Sequence, residues 1–316
     1  MPATPPEPAV RGLIDAMTSV FPQVGTELDD AVQARALLGA APKSPAPVVP
    51  VADVRDRIIP GPGGDLPVRI YRPLGSQESD VLPVVVFLHG GGWVLCSIDS
   101  HDQTCRSLAN ATGAVFVSVE YRLAPETRFP GAAEDAYAAY IWARENAAEF
   151  GGDPARVAVA GDSAGGNLAA AVPLMARDRG AAQPTFQLLL YPVVDHRRAT
   201  DSYTENATGY FLTAAQLAWF WRQYIGPDGD PAHPYASPGT AEDLSGLAPA
   251  FVVAPALDPL RDEGVAYAER LAAAGVPAEY RVYEGMFHGA ISMGALVPSA
   301  AAAFADATEA LRKALA

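Results

Sequence analysis

Hydrophobic and polar positions along the chain fall into two kinds of segment, short continuous apolar runs and longer stretches of helical period. Residues 84–88 are apolar throughout, as expected of a strand covered on both faces. Residues 114–119, 157–160, 186–190 and 251–253 repeat the pattern, and 279–283 reads as a further strand. Residues 54–59 and 68–71 read as the first two strands, joined by the turn-rich Pro60-Gly61-Pro62-Gly63-Gly64. Helical segments over 102–110, 132–147, 164–177, 261–273 and 299–315 separate the later runs. Strand and helix in alternation predict right-handed crossovers and a mainly parallel sheet of the α/β class. In such sheets a site lies at the carboxyl ends of the strands.

Two segments stand apart from this rhythm. Residues 10–20 and 28–38 have the spacing of short amphipathic helices, and Pro42, Pro45, Pro47 and Pro50 then read as an extended linker. Residues 200–238 form a long insertion between two core strands and carry Tyr203, Tyr210, Phe211, Trp219, Phe220, Trp221 and Tyr224. A long aromatic insertion at the active-site edge is expected to form a cap. The predicted organisation is an N-terminal cap segment over 1–50 and a catalytic domain over 51–316 with a cap insertion at 200–238.

Composition narrows the function. Half of the 316 residues are hydrophobic and the net charge is −14, which suits a folded chain and argues against a nucleic-acid partner. The start Met1-Pro2-Ala3-Thr4-Pro5-Pro6 has no basic segment leading into an apolar one, and no apolar stretch reaches about 18 residues. The expectation is a cytoplasmic protein without stable membrane insertion. Cys96 and Cys105, the two cysteines, make neither a disulfide framework nor a zinc pattern, so both are expected as buried or half-buried free thiols and no metal site is expected.

The chemistry is carried by short motifs. Gly161-Asp162-Ser163-Ala164-Gly165 follows one predicted strand and opens a predicted helix. This is the setting in which G-x-S-x-G forms a sharp turn with an exposed nucleophilic serine. A side chain at Gly161 or Gly165 is expected to clash across that turn. His89-Gly90-Gly91-Gly92-Trp93 directly follows the 84–88 run. Its glycines allow backbone N–H groups to approach the oxyanion of acyl transfer, and Gly91, Gly92 and Ala164 are the expected donors. His89 is expected to hold this loop by hydrogen bonds.

A serine hydroxyl needs a base. Of the five histidines, His196, His233 and His288 follow Ser163, as the order nucleophile–acid–histidine requires. His288 lies just past the last predicted strand and is the expected base. Asp258 follows the 251–253 strand and is placed to orient it, while Asp262 and Glu263 belong to the first turn of the next helix. A histidine base must be neutral, and the reference imidazole value of about 6.5 predicts activity that falls in mild acid.

These motifs, with Glu120-Tyr121-Arg122-Leu123-Ala124-Pro125-Glu126, Asp258-Pro259-Leu260-Arg261-Asp262-Glu263 and His288-Gly289, give a chain that resembles the hormone-sensitive-lipase-like group of α/β-hydrolase esterases. The resemblance implies an α/β-hydrolase fold with an eight-stranded, mostly parallel sheet and a helical cap. It implies no cofactor and admits a homodimer. The Glu120 motif reads as a brace for a loop beside the site. Ala290 follows His288-Gly289 where the group commonly has an aromatic residue, and Glu120 replaces a common aspartate. The expected activity is hydrolysis of small-molecule esters with short to medium acyl chains through an acyl-enzyme. Trp93, Tyr191, Tyr210, Phe211 and Phe287 are candidates to line the pocket. Amide or formamide hydrolysis, or ligand binding without turnover on the same fold, are the alternatives.

Overall fold

The computed structural model, which describes residues 6–40 and 47–316, gives each apolar run a strand. The strands are β1 (Asp53–Gly61), β2 (Gly64–Arg72), β3 (Leu82–Leu88), β4 (Val115–Val119), β5 (Gly152–Asp162), β6 (Gln187–Leu190), β7 (Ala250–Leu257) and β8 (Ala278–Phe287). The helices are α1 (Pro8–Val20), α2 (Ala31–Ala40), α3 (Asp102–Thr112), α4 (Gly131–Asn146), α5 (Ala164–Asp178), α6 (Asp201–Glu205), α7 (Ala214–Ile225), α8 (Arg261–Ala273) and α9 (Pro298–Ala314). Pro42 and Pro45 of the expected linker lie outside the described residues.

One eight-stranded sheet has the order β1-β2-β4-β3-β5-β6-β7-β8. β2 runs antiparallel to β1 and to β4, and all other neighbours are parallel. Alternate residues of β3 explain its unbroken hydrophobicity. Val84, Val86 and Leu88 enter the core shared with α4, α5 and α8, while Val85 and Phe87 enter the one shared with α3 and α9. Residues 164–176 of α5 are all buried, and its small residues let it sit deep against the sheet.

α2 starts three residues later than its apolar spacing predicts, because the Asp30 side chain accepts the Gln33 N–H at 2.9 Å and Leu28 is drawn into a bridge with Val24. Within the insertion, α7 begins at a capping box in which Thr213 and Gln216 satisfy each other's backbone N–H groups. The N-terminal helices and the insertion touch. Trp219 of α7 donates to the Asp29 carbonyl at 3.3 Å, and Phe21 meets the Phe211 ring edge-on at 5.0 Å. Arg35 of α2 donates to the Val94 and Ala124 carbonyls, each at 2.7 Å, and pairs with Glu126. Both segments therefore rest on the loops at the carboxyl ends of the central strands.

Candidate active site

The turn between β5 and α5 holds Ser163 at φ 56, ψ −119, a conformation rare for a side-chain-bearing residue. Neighbouring backbone imposes it. The Ser163 N–H donates to the Leu190 carbonyl of β6 at 2.9 Å, and the Ser163 carbonyl accepts from Asn167 at 3.0 Å. A Cβ at Gly161 would run into the Gly165 carbonyl, and one at Gly165 into the Leu88 carbonyl, so the expected clash across the turn is present.

Three loops at the same end of the sheet supply a hydrogen-bonded row. His288, just past β8, places Nε2 2.9 Å from the Ser163 hydroxyl. Its Nδ1 is 2.7 Å from Oδ2 of Asp258, just past β7. The other Asp258 oxygen accepts the Leu260 N–H at 2.9 Å. All three side chains are nearly enclosed, with Asp258 0 %, His288 6 % and Ser163 8 % exposed. A carboxylate so placed fixes the imidazole tautomer and stabilises the imidazolium. The rival groups are engaged elsewhere. Asp262 pairs with Arg261, and Glu263 accepts the Val194 N–H at 2.6 Å. His196 bonds Ser237, and His233 accepts from the Tyr235 N–H.

The glycine loop after β3 faces this row. Gly91 and Gly92 have φ of 111° and 61°, and a side chain at Gly92 would collide with Phe220 of α7. Among the described residues, the N–H groups of Gly91, Gly92 and Ala164 have no acceptor, leaving three donors free. His89 stacks on Tyr121 with ring centroids 4.2 Å apart, and the Tyr121 hydroxyl donates to the His89 carbonyl at 2.7 Å. Burial, aided by the nearby His101 charge, pushes the His89 pKa down to about 3, so His89 is a neutral structural group. The Glu120 motif braces the loop as expected, with the Glu120 side chain accepting the Ile98 N–H at 2.8 Å.

The five aromatic candidates separate. Tyr191 packs edge-on against His288 with centroids 4.8 Å apart, and Phe211 lies over Gly289 and edge-on to Phe287. Trp93 is fully buried and stacks on Tyr224 of α7 at 4.2 Å, which fastens the glycine loop to the insertion. Tyr210 is half-buried, packed against the core with the Arg11 guanidinium over its ring. The sequence reading missed Asp162, whose Oδ1 accepts the Gly90 N–H at 2.9 Å, and Asn206, whose amide holds the Ala256 and Asp258 carbonyls. An acid inside the serine turn was the available signal for the first.

A serine, an imidazole and a carboxylate in one hydrogen-bonded row, beside free backbone donors, are the parts of a serine hydrolase. A family model described as the alpha/beta hydrolase fold matches residues 85–292, and the chain belongs to that family, in its hormone-sensitive-lipase-like group. It is 43 % identical over 314 residues to carboxylesterase NlhH of Mycobacterium tuberculosis, covering 98 % of this chain and 96 % of that one. It is 40 % identical over 252 residues to an ethyl acetate hydrolase of Pseudomonas putida, covering 79 % of each. A thermostable esterase structure from Pseudomonas putida superposes with a TM-score of 0.92 at 38 % identity, covering 99 % of both chains.

Proposed function

We propose that this chain is a carboxylesterase of short- to medium-chain acyl esters, with Ser163 as nucleophile, His288 as base and Asp258 as the group that orients it. The observation that carries the proposal is the continuous row Asp258–His288–Ser163 at 2.7 and 2.9 Å. Ser163 attacks the ester carbonyl as its proton passes to His288 Nε2. The oxyanion takes the N–H groups of Gly91, Gly92 and Ala164. His288 then gives its proton to the leaving alcohol, and a water activated by His288 cleaves the acyl-enzyme.

Helices α1 and α2 of the N-terminal segment, with the insertion over 200–238, act as the cap. Tyr191 and Phe211 line the acyl site, with Phe287 and Trp93 supporting it from behind. Rings this close to the base leave little room for a long acyl chain, and one relative is named for hydrolysis of ethyl acetate, a short ester. Among the described residues no helix is long and apolar enough to cross a membrane. The free Cys96 and Cys105 suit a reducing compartment such as the cytoplasm. Self-association as a homodimer rests on the family resemblance and is read by light scattering.

The test is turnover of p-nitrophenyl esters of increasing acyl length. Wild type is expected to prefer short acyl groups, and Ser163→Ala to lose a factor on the order of 10⁴ or more in kcat. A preference for long acyl chains would overturn the pocket assignment, and an active Ser163→Ala would overturn the mechanism.

A further inference from the structure

One carboxylate–imidazole pair beside the site has no part in the cycle above. Asp162 directly precedes the nucleophile and is buried, 7 % exposed. Its Oδ1 anchors the Gly90 N–H, and a Cβ at Gly90 would come within 2.5 Å of its Oδ2, so the carboxylate lies flush on the oxyanion loop. It is one residue from Ser163 and touches the residue before Gly91. A bare negative charge there would repel the oxyanion as it forms, and the low local dielectric would enlarge that repulsion. Facing it is the His101 imidazole, with Nε2 3.2 Å from Oδ1 and 3.3 Å from Oδ2.

We propose that His101 is a positioning residue for ester hydrolysis: as an imidazolium it cancels the Asp162 charge, so that Asp162 can anchor the oxyanion loop through Gly90 without opposing the oxyanion. The proposal rests on the acyl-enzyme reading given above.

The surroundings favour an ionised pair. Burial alone would raise the Asp162 pKa, but the His101 charge and hydrogen bond outweigh it and hold the carboxyl below its usual range. Burial would likewise lower that of His101, but Asp162 outweighs it and holds the imidazole above its usual value. Of the other groups near Asp162, His288 is the base of the proposed cycle and the rest supply no positive charge in place of His101. His89 is neutral, and burial pushes the Cys96 thiol up to about 12. Glu120, also raised by burial, already accepts the Ile98 N–H.

The test compares kcat and KM on p-nitrophenyl acetate for wild type, His101→Gln, Asp162→Asn and the double variant. His101→Gln exposes the carboxylate charge and should lower kcat on the order of 10- to 100-fold with KM within about threefold. Adding Asp162→Asn should recover most of that loss, because the asparagine carbonyl still accepts the Gly90 N–H and no charge remains to cancel. Such a rescue is not expected of a purely structural histidine, whose loss a second core change would deepen. Wild-type kcat in His101→Gln, a loss carried by KM, or a double variant at the product of the single losses would overturn the proposal. If His101→Gln does not fold, His101→Asn and its double variant with Asp162→Asn replace it: recovery of most of the lost kcat in the double variant is expected, and losses that multiply would overturn the proposal. A wild type without turnover would instead sink the esterase reading.

Discussion

A methyl group at Gly92 would run into the Phe220 ring, and the backbone there sits at a positive φ that alanine adopts only with strain. Gly92→Ala should therefore swing one donor off the oxyanion and lower kcat by about 10²-fold with a small change in KM. Steady-state kinetics checks this, and an unchanged kcat would remove Gly92 from the donor set. Glu263 makes a separate prediction. Burial raises its carboxyl from the ordinary 4.5 to about 8, so the folded state keeps a proton that the unfolded chain gives up across that window. Folding stability contributed by this group falls as pH rises from about 4.5 towards 8. Glu263→Gln has no such proton, so between pH 5 and 8 its stability should gain on wild type by on the order of 1–3 kcal/mol. Urea unfolding at the two pH values measures the gap, and a constant gap would contradict it. The triad was legible in sequence because each member follows a recognisable strand within a compact motif. Asp162 and Asn206 were not, because the Gly90 N–H and His101 ring that meet the one, and the Ala256 and Asp258 carbonyls that meet the other, are brought near only by the fold.

At the scale of elements, the two helical segments outside the sheet determine what the glycine loop can do. Arg35 of α2 donates to the Val94 and Ala124 carbonyls, and Trp93 of the loop stacks on Tyr224 of α7. Arg35→Ala should cost about 1–3 kcal/mol of stability, since two buried carbonyls lose a charged donor. It should also lower kcat/KM, because the loop that carries the oxyanion donors loses a fastening. Thermal unfolding and kinetics on the same preparation read both effects, and an unchanged kcat/KM would uncouple α2 from the site. The central strands β3 to β7 were legible because each carries an apolar run buried on both faces, whereas β1, β2 and β8 hold charged, exposed positions, and β1 and β2 were read with the help of the turn-rich segment between them. The insertion was read for its aromatics and not for its helices. The signal for α7 was present, since Leu217, Phe220, Trp221, Tyr224 and Ile225 recur at helical spacing behind the Thr213–Gln216 capping box.

For the whole molecule, the parallel sense of β3, β5, β7 and β8 brings their carboxyl ends to one end of the sheet, where four separate motifs become neighbours. The proposed cycle uses side chains and backbone N–H groups alone at every step, so exhaustive dialysis against a chelator should leave kcat unchanged. A loss restored by added metal would require a different chemistry. Strand count and parallel sense were legible from the alternation of runs and helical segments. How the N-terminal segment seats on the insertion was not, because that contact joins residues about 190 positions apart through single side chains such as Trp219.

The central claim is that Ser163 is a nucleophile activated by His288, and covalent labelling tests it most directly. The protein would be treated with an activated alkyl phosphonate ester, and the modified residue located by peptide mass spectrometry. We expect one phosphonyl group per chain on Ser163, none on Ser163→Ala, and labelling of His288→Ala slowed by orders of magnitude. Labelling of another residue at the wild-type rate, or unchanged labelling of His288→Ala, would contradict the account.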